Sequence, residues 1–260
     1  IFFYFFVNEF INNRKKALFA TFALAAVPAY LSHFIWALAL TLPLYFVTFY
    51  AIEKIKHDKK WFIVAGLVMI TTLTSSPTHS TYFGLFFIIY LVLRTILEKR
   101  FLIYHILAGF IGLTLSFVLW WLPSIMRYGL YDMLVGLGLR TRKGIAGVLS
   151  VAGTADRAYS LSDFLWAKTT NMINNPIGIG LVLSFLVLAF LIALLLKNKL
   201  LLKEENHWLI ITLAWLLLTL YAVNAAKFPI KLSPFRVWVL LAIPISIAAG
   251  EGVYFLTGFF

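Results

Sequence analysis

The residues whose types and spacing could do chemistry lie in a few polar stretches. Gly136-Leu137-Gly138 is followed by Arg140-Thr141-Arg142-Lys143-Gly144. Glycines that turn backbone N–H groups outward beside three cations suit a phosphate. A basic hinge is the competing reading of the same residues. Further on, Arg157 adjoins Asp156 as its obvious ion-pair partner, and Lys227, Lys231 and Arg236 form a basic stretch without an acid. Two of the five histidines, His33 and His79, sit in short polar breaks between apolar runs. An imidazole there suits proton transfer or ligand binding. Neither has a carboxylate neighbour in sequence, so these two alone make no metal site. His33, His79 and Asp156 are the candidate catalytic groups. Asp163 follows Ser160 at the spacing of a capping box and reads as a helix cap. No metal ligands are assigned, and no P-loop, zinc signature, nucleophile elbow or dinucleotide fingerprint is present.

The elements that position these residues follow from composition. Of 260 residues, 62% are hydrophobic and only 12% charged, with a mean hydropathy of +0.94. A water-soluble domain carries about 25% charged residues, so that class is excluded, and so is disorder. The absence of cysteine rules out disulfides and thiolate metal sites. The expected fold is all-α, a polytopic transmembrane bundle. Apolar runs occur up to Phe10 and at 17–31, 36–53, 61–74, 82–96, 101–121, 177–196, 208–224 and 237–258. Each reads as a helix, because hydrocarbon leaves no backbone group unpaired. That makes about eight membrane helices plus a partial one. The chain opens on Ile1-Phe2-Phe3-Tyr4 and reads as a single transmembrane domain fragment, 1–260, that begins inside a helix.

The connections alternate in charge. Segments 12–16, 54–60, 94–100 and 197–207 carry thirteen Lys and Arg, whereas the short segments 31–35 and 75–81 carry none. The positive-inside rule then makes the first set cytoplasmic and the net charge of +12 a matter of orientation rather than of nucleic acid. Segment 122–176 becomes a long external loop. Within it Ser124 to Leu139 reads as an interfacial helix, and a second helix is expected from about Leu161 to Met172. Asn174-Asn175-Pro176 should end that helix and start the next span. Lys227, Lys231 and Arg236 are also external, where cations invite an anionic ligand.

One set of residues carries a family resemblance. Trp215 lies in a helix ending Leu220-Tyr221-Ala222, followed by Pro234-Phe235-Arg236-Val237-Trp238 and Ala242-Ile243-Pro244-Ile245-Ser246-Ile247-Ala248-Ala249-Gly250. With Ala26-Val27-Pro28-Ala29-Tyr30-Leu31-Ser32 and the long loop, this resembles the catalytic subunit of archaeal oligosaccharyltransferases, in the GT-C glycosyltransferase superfamily. The resemblance implies transfer of a sugar or oligosaccharide from a polyprenyl-(pyro)phosphate donor, with Arg236 at the donor phosphate and the long loop closing over the site. Arg140, Arg142, Lys143 and Arg157 are the further donor-phosphate candidates. Departures accompany it. Ser32-His33-Phe34-Ile35-Trp36 has no carboxylate where the family supplies metal ligands, and no Glu lies between Glu98 and Glu204. The family's catalytic Asp is expected upstream of Ile1, and a divalent ion, Mg or Mn, stays open for the full-length protein.

The expectation is therefore a multi-pass plasma-membrane glycosyltransferase with its site outside. Its partners would be a polyprenyl-linked glycan, membrane lipid and an acceptor protein or glycan, with no nucleic acid. A polyprenyl-phosphate flippase and a non-catalytic scaffold binding anionic lipid are the alternatives. Topology is directly testable: a cysteine replacing Lys199 should resist an impermeant thiol reagent in sealed cells, and one replacing Ser76 should react. The reverse labelling pattern overturns the orientation.

Overall fold

The computed structural model describes residues 1–31, 38–75, 77–131, 159–167, 176–196, 201–225 and 234–258. The described residues are helical and contain no strand. In chain order the helices are α1 (Phe2–Ile11), α2 (Arg14–Ala26), α3 (Pro28–Leu31), α4 (Leu38–Lys54), α5 (Trp61–Ser75), α6 (Pro77–Glu98), α7 (Ile103–Ser116), α8 (Leu122–Tyr128), α9 (Leu161–Leu165), α10 (Leu181–Leu196), α11 (His207–Val223) and α12 (Pro234–Thr257).

Every apolar run forms helix, but the expected count of about eight spans does not hold. Among the described residues, four helical stretches are long and apolar enough to cross a membrane: His79–Glu98, Ile103–Tyr128, Glu204–Val223 and Val237–Thr257. The shortfall is one of length. At about 1.5 Å per residue, α1, α5 and α10 reach only about 15–24 Å, against the roughly 30 Å of a hydrocarbon core. The run at 17–31 is broken outright. Val27 is extended (φ −71°, ψ 117°), because the ring of Pro28 crowds a helical conformation at the residue before it.

Two other boundaries differ from expectation for the same kind of reason. Pro123 does not end its helix. A π-turn at Phe117–Trp121 joins α7 to α8. Widening that turn relieves the clash between the proline ring and the carbonyl four residues earlier. The helix then stops at Gly129 (φ 78°), so residues 124–128 of the expected interfacial helix are instead the end of the preceding span, and 132–139 lie outside the described residues. Of the expected helix at 161–172 the structure describes α9, capped at Trp166, while 168–172 lie outside the described residues, and Pro176 precedes α10 rather than opening it.

The chain divides into two compact units. The first comprises Ile1–Phe10 and Ile35–Val148. In it α5 packs along α7 and against α4 and α6. Small residues permit the close approach that membrane helices use in place of a hydrophobic drive. A Cβ on Gly112 would lie 2.8 Å from Met69, and one on Gly66 2.8 Å from Ile111. Aromatic rings bind α1 to α4 and α4 to α6, as in Phe3–Phe46 (4.9 Å between centroids) and Tyr45–Phe83 (5.1 Å). Hydroxyl groups cross the same bundle, with Thr48 and Thr72 2.8 Å apart and Thr41 and Ser75 3.2 Å apart.

The second unit comprises Ile11–Phe34 and Leu149–Phe260. Here α12 is central, with α2, α10 and α11 packed around it. From Val237 to Ala249 its hydrophobic side chains are buried, the pattern of a helix enclosed on all sides. Two glycines set its neighbours' distance. A Cβ on Gly250 would meet the Lys16 carbonyl at 2.8 Å, and one on Gly252 the Leu186 carbonyl at 2.2 Å. Gly252→Ala should therefore destabilise the protein by about 1–3 kcal/mol through overpacking. Gly84→Ala, where nothing lies within 4 Å, should be neutral or stabilising. Thermal unfolding in detergent, compared between the two variants, checks the difference.

Candidate functional site

The sequence-derived site residues divide sharply by what the structure describes. His33, Asp156, Arg140, Arg142, Lys143 and Arg157 lie outside the described residues. Arg236 is the third residue of α12, and only its backbone is described. His79 is not in a loop: it occupies the first turn of α6 and is buried, and its carbonyl accepts a hydrogen bond from the Tyr45 hydroxyl.

At the N-terminal end of α12 the second unit builds a defined seat. Trp238, two residues after Arg236, is fully buried. Tyr159 meets it edge-on at 5.2 Å and Phe164 lies 4.7 Å from it. These rings bring the last part of segment 122–176 onto α12. The segment is held in shape by Asp163, whose carboxylate accepts the Ser160 backbone N–H and the Ser160 hydroxyl, both at 2.8 Å. Asp163 is a cap, as the Ser160 spacing anticipates. Ile179 then donates its N–H to the Phe164 carbonyl at 2.8 Å. That crossing needs Gly178 (φ 108°), where a Cβ would sit 2.9 Å from the carbonyls of Asp163 and Trp166. Within this seat the Trp238 indole N–H is buried and has no hydrogen-bond partner among the described residues. An indole N–H can only donate, so it is suited to an oxygen acceptor on a ligand.

The opposite part of α12 is closed by a satisfied ion pair. Glu251, fully buried, holds Lys16 of α2 at 2.6 Å. The Lys16 ammonium lies 4.6 Å from the Tyr254 ring and 5.2 Å from the Trp208 ring, so cation–π attraction supplements the pair.

Sequence reasoning missed a buried ionic cluster in the first unit. Glu53 of α4 pairs with Lys56 and lies 3.6 Å from Arg94 of α6. Arg94 also pairs with Glu98, and Glu98 with Arg100 at 2.5 Å. The Arg94 guanidinium stands 5.7 Å from the Tyr90 ring, which stacks on His105 at 6.2 Å. The signal available was the i, i+4 spacing of Tyr90, Arg94 and Glu98, which aligns them on one face. At the margin, Lys54 pairs with Glu9 at 2.8 Å. That hydrogen bond holds the Lys54 ammonium above its ordinary pKa, against a smaller opposing effect of burial. No group of three or more His, Asp or Glu side chains is arranged to hold a metal among the described residues.

No family model, curated protein or solved structure matches this chain.

The buried cluster has a clear energetic signature. Arg94→Met removes the cation shared by Glu53 and Glu98, leaving them Lys56 and Arg100, and should cost about 1.5–3 kcal/mol, as for a hydrogen bond to a charged group. Adding Glu53→Gln and Glu98→Gln to it should restore most of that loss. A triple variant no more stable than Arg94→Met alone would show that Arg94 acts by packing rather than charge. Equilibrium unfolding of the three proteins decides it.

Proposed function

We propose that this protein is a GT-C-type glycosyltransferase of the plasma membrane. In this reading it transfers a sugar or oligosaccharide from a polyprenyl-(pyro)phosphate donor to an acceptor protein or glycan on the external face. The bond between the anomeric carbon and the phosphate oxygen breaks, the acceptor bonds to that carbon, and the polyprenyl phosphate leaves. Arg236 binds the leaving phosphate, where a guanidinium fork suits paired oxygens. Arg140, Arg142, Lys143 and Arg157 supply further positive charge from the long loop.

The observation that carries this reading is the Trp238 seat. A buried indole donor without a partner among the described residues lies in the same turn of α12 as Arg236. Tyr159, two residues after Arg157, packs against that same ring. The chain thus holds the stem of its long basic segment beside the end of α12 that bears a cation. The stretch 225–236 adds Lys227 and Lys231 and contains no acid. An anion with several oxygens is the ligand class that answers both features.

The test is incubation of the purified protein with a labelled polyprenyl-phosphate-linked sugar and candidate acceptors, in parallel with donor-binding measurements. Wild type should form labelled product. Arg236→Ala should lose roughly 2–5 kcal/mol of donor binding, and Arg236→Lys should recover only part. Trp238→Phe should lose about 1.5–3 kcal/mol, as for a hydrogen bond to a charged group. Movement of the donor between leaflets without product formation would instead identify a flippase. Retention of anionic lipid alone would identify a scaffold.

A further inference from the structure

The ends of α4 to α7 in the first unit gather a surplus of positive charge that the ionic cluster does not consume. Lys54 is taken by Glu9, Lys56 by Glu53, Arg94 by Glu53 and Glu98, and Arg100 by Glu98. Asp58, the remaining acid of segment 54–60, turns inward on its own chain and accepts the Lys60 backbone N–H at 2.9 Å. Lys59, Lys60 and Lys99 are left without an ion pair among the described residues, and all three are exposed. They are gathered rather than scattered. Lys59 lies over the Tyr104 ring at 5.3 Å, and Tyr104 packs on Phe62 at 5.7 Å. This joins the start of α5, which Lys59 and Lys60 precede, to the start of α7, which Lys99 precedes.

What borders these cations identifies their partner. Phe101, two residues from Lys99, is 71% exposed. Directly along α5, Ile63, Val64 and Leu67 are exposed, and along α7 so are Ile103, Phe110 and Leu113. A free anion in water has no use for such a border. A phospholipid has both halves: acyl chains for the apolar flanks and a charged phosphate for the lysines. Aromatic rings beside cations mark the depth at which headgroups lie. Long lysine stems reach that level while their methylenes cover apolar surface.

We propose that Lys59, Lys60 and Lys99, with the exposed Phe101 beside them, form a binding surface for anionic phospholipid headgroups. It is distinct from the Trp238 seat and does not depend on the activity proposed for it. Each lysine near an anionic surface strengthens partition about fivefold, and the effect weakens as salt shortens the screening length. The surface therefore selects phosphatidylglycerol over phosphatidylcholine, whose headgroup carries no net charge.

Native mass spectrometry of the purified protein from mixed micelles of these two lipids tests the assignment. Wild type should retain phosphatidylglycerol preferentially. The K59Q/K60Q/K99Q variant should lose at least tenfold of that preference. The K59R/K60R/K99R variant should keep it, which separates charge from folding. A Lys203→Gln variant in the second unit should behave as wild type. Two results overturn the proposal: an undiminished preference in the triple glutamine variant, or complete displacement of the lipid by excess inorganic phosphate, which would mean a free-anion site.

Discussion

The cost of leaving a polar group unpaired in hydrocarbon governs this molecule at every scale. A backbone N–H or carbonyl without a partner there costs several kcal/mol, so apolar sequence becomes helix regardless of local propensity. Phenylalanine-rich α1 and leucine-rich α10 both obey. The same cost explains where the chain places charge. Glu53 and Arg94 lie buried, and Glu98 half-buried, only because each carboxylate meets a cation. Glu251 is buried only against Lys16. Some hydroxyl groups inside the bundle are paired within their own helix. Ser246 donates to the Ala242 carbonyl at 2.6 Å, and Thr219 to the Trp215 carbonyl at 2.8 Å.

Against that background, much of the fold was legible because hydropathy and proline act locally. The apolar runs predicted helix where helix occurs, and Ser160 with Asp163 predicted a cap three residues apart. What could not be read was length. Whether a run of apolar residues spans the membrane depends on where proline and close packing interrupt it. Pro28 interrupts a helix and Pro123 does not. A π-turn lies ahead of Pro123, while Pro43 and Pro244 stand inside α4 and α12 without one, differences with no marker in the residues themselves. The ionic cluster was hidden for another reason. Its members come from α4, α6 and the residues just after each, and the alignment of Arg94 with Glu98 is written along α6. Glu53 joins them through tertiary packing alone.

The candidate site was legible to a different degree. Sequence picked out Arg236 by its position at the head of an apolar helix, and the long basic segment by its charge. It did not pick out Trp238, which reads as an ordinary core aromatic. What sequence does not show is that its buried indole N–H has no partner among the described residues, a state it shares with the Tyr90 and Thr212 hydroxyls, because pairing is a property of neighbours. His79 illustrates the converse. Its position suggested an exposed loop, yet the helix begins earlier than the hydropathy does, at Pro77, where a proline costs no hydrogen bond.

The two ends of α12 show how the constraint becomes selective. Arg236 and Glu251 are fifteen residues apart, or about 22 Å along a helix. Near Glu251 every demand is met internally: the carboxylate has its ammonium, the ammonium has two aromatic rings, and Gly250 and Gly252 bring α2 and α10 close enough to exclude anything else. A ligand there would have to displace a complete set of partners. Near Trp238 the hydrophobic demand is met by Tyr159 and Phe164, but the polar one is not met among the described residues. An acceptor arriving at that end gains a hydrogen bond without breaking one. Binding selectivity along one helix can therefore arise from unequal satisfaction of its two ends, with no difference in overall hydrophobicity between them.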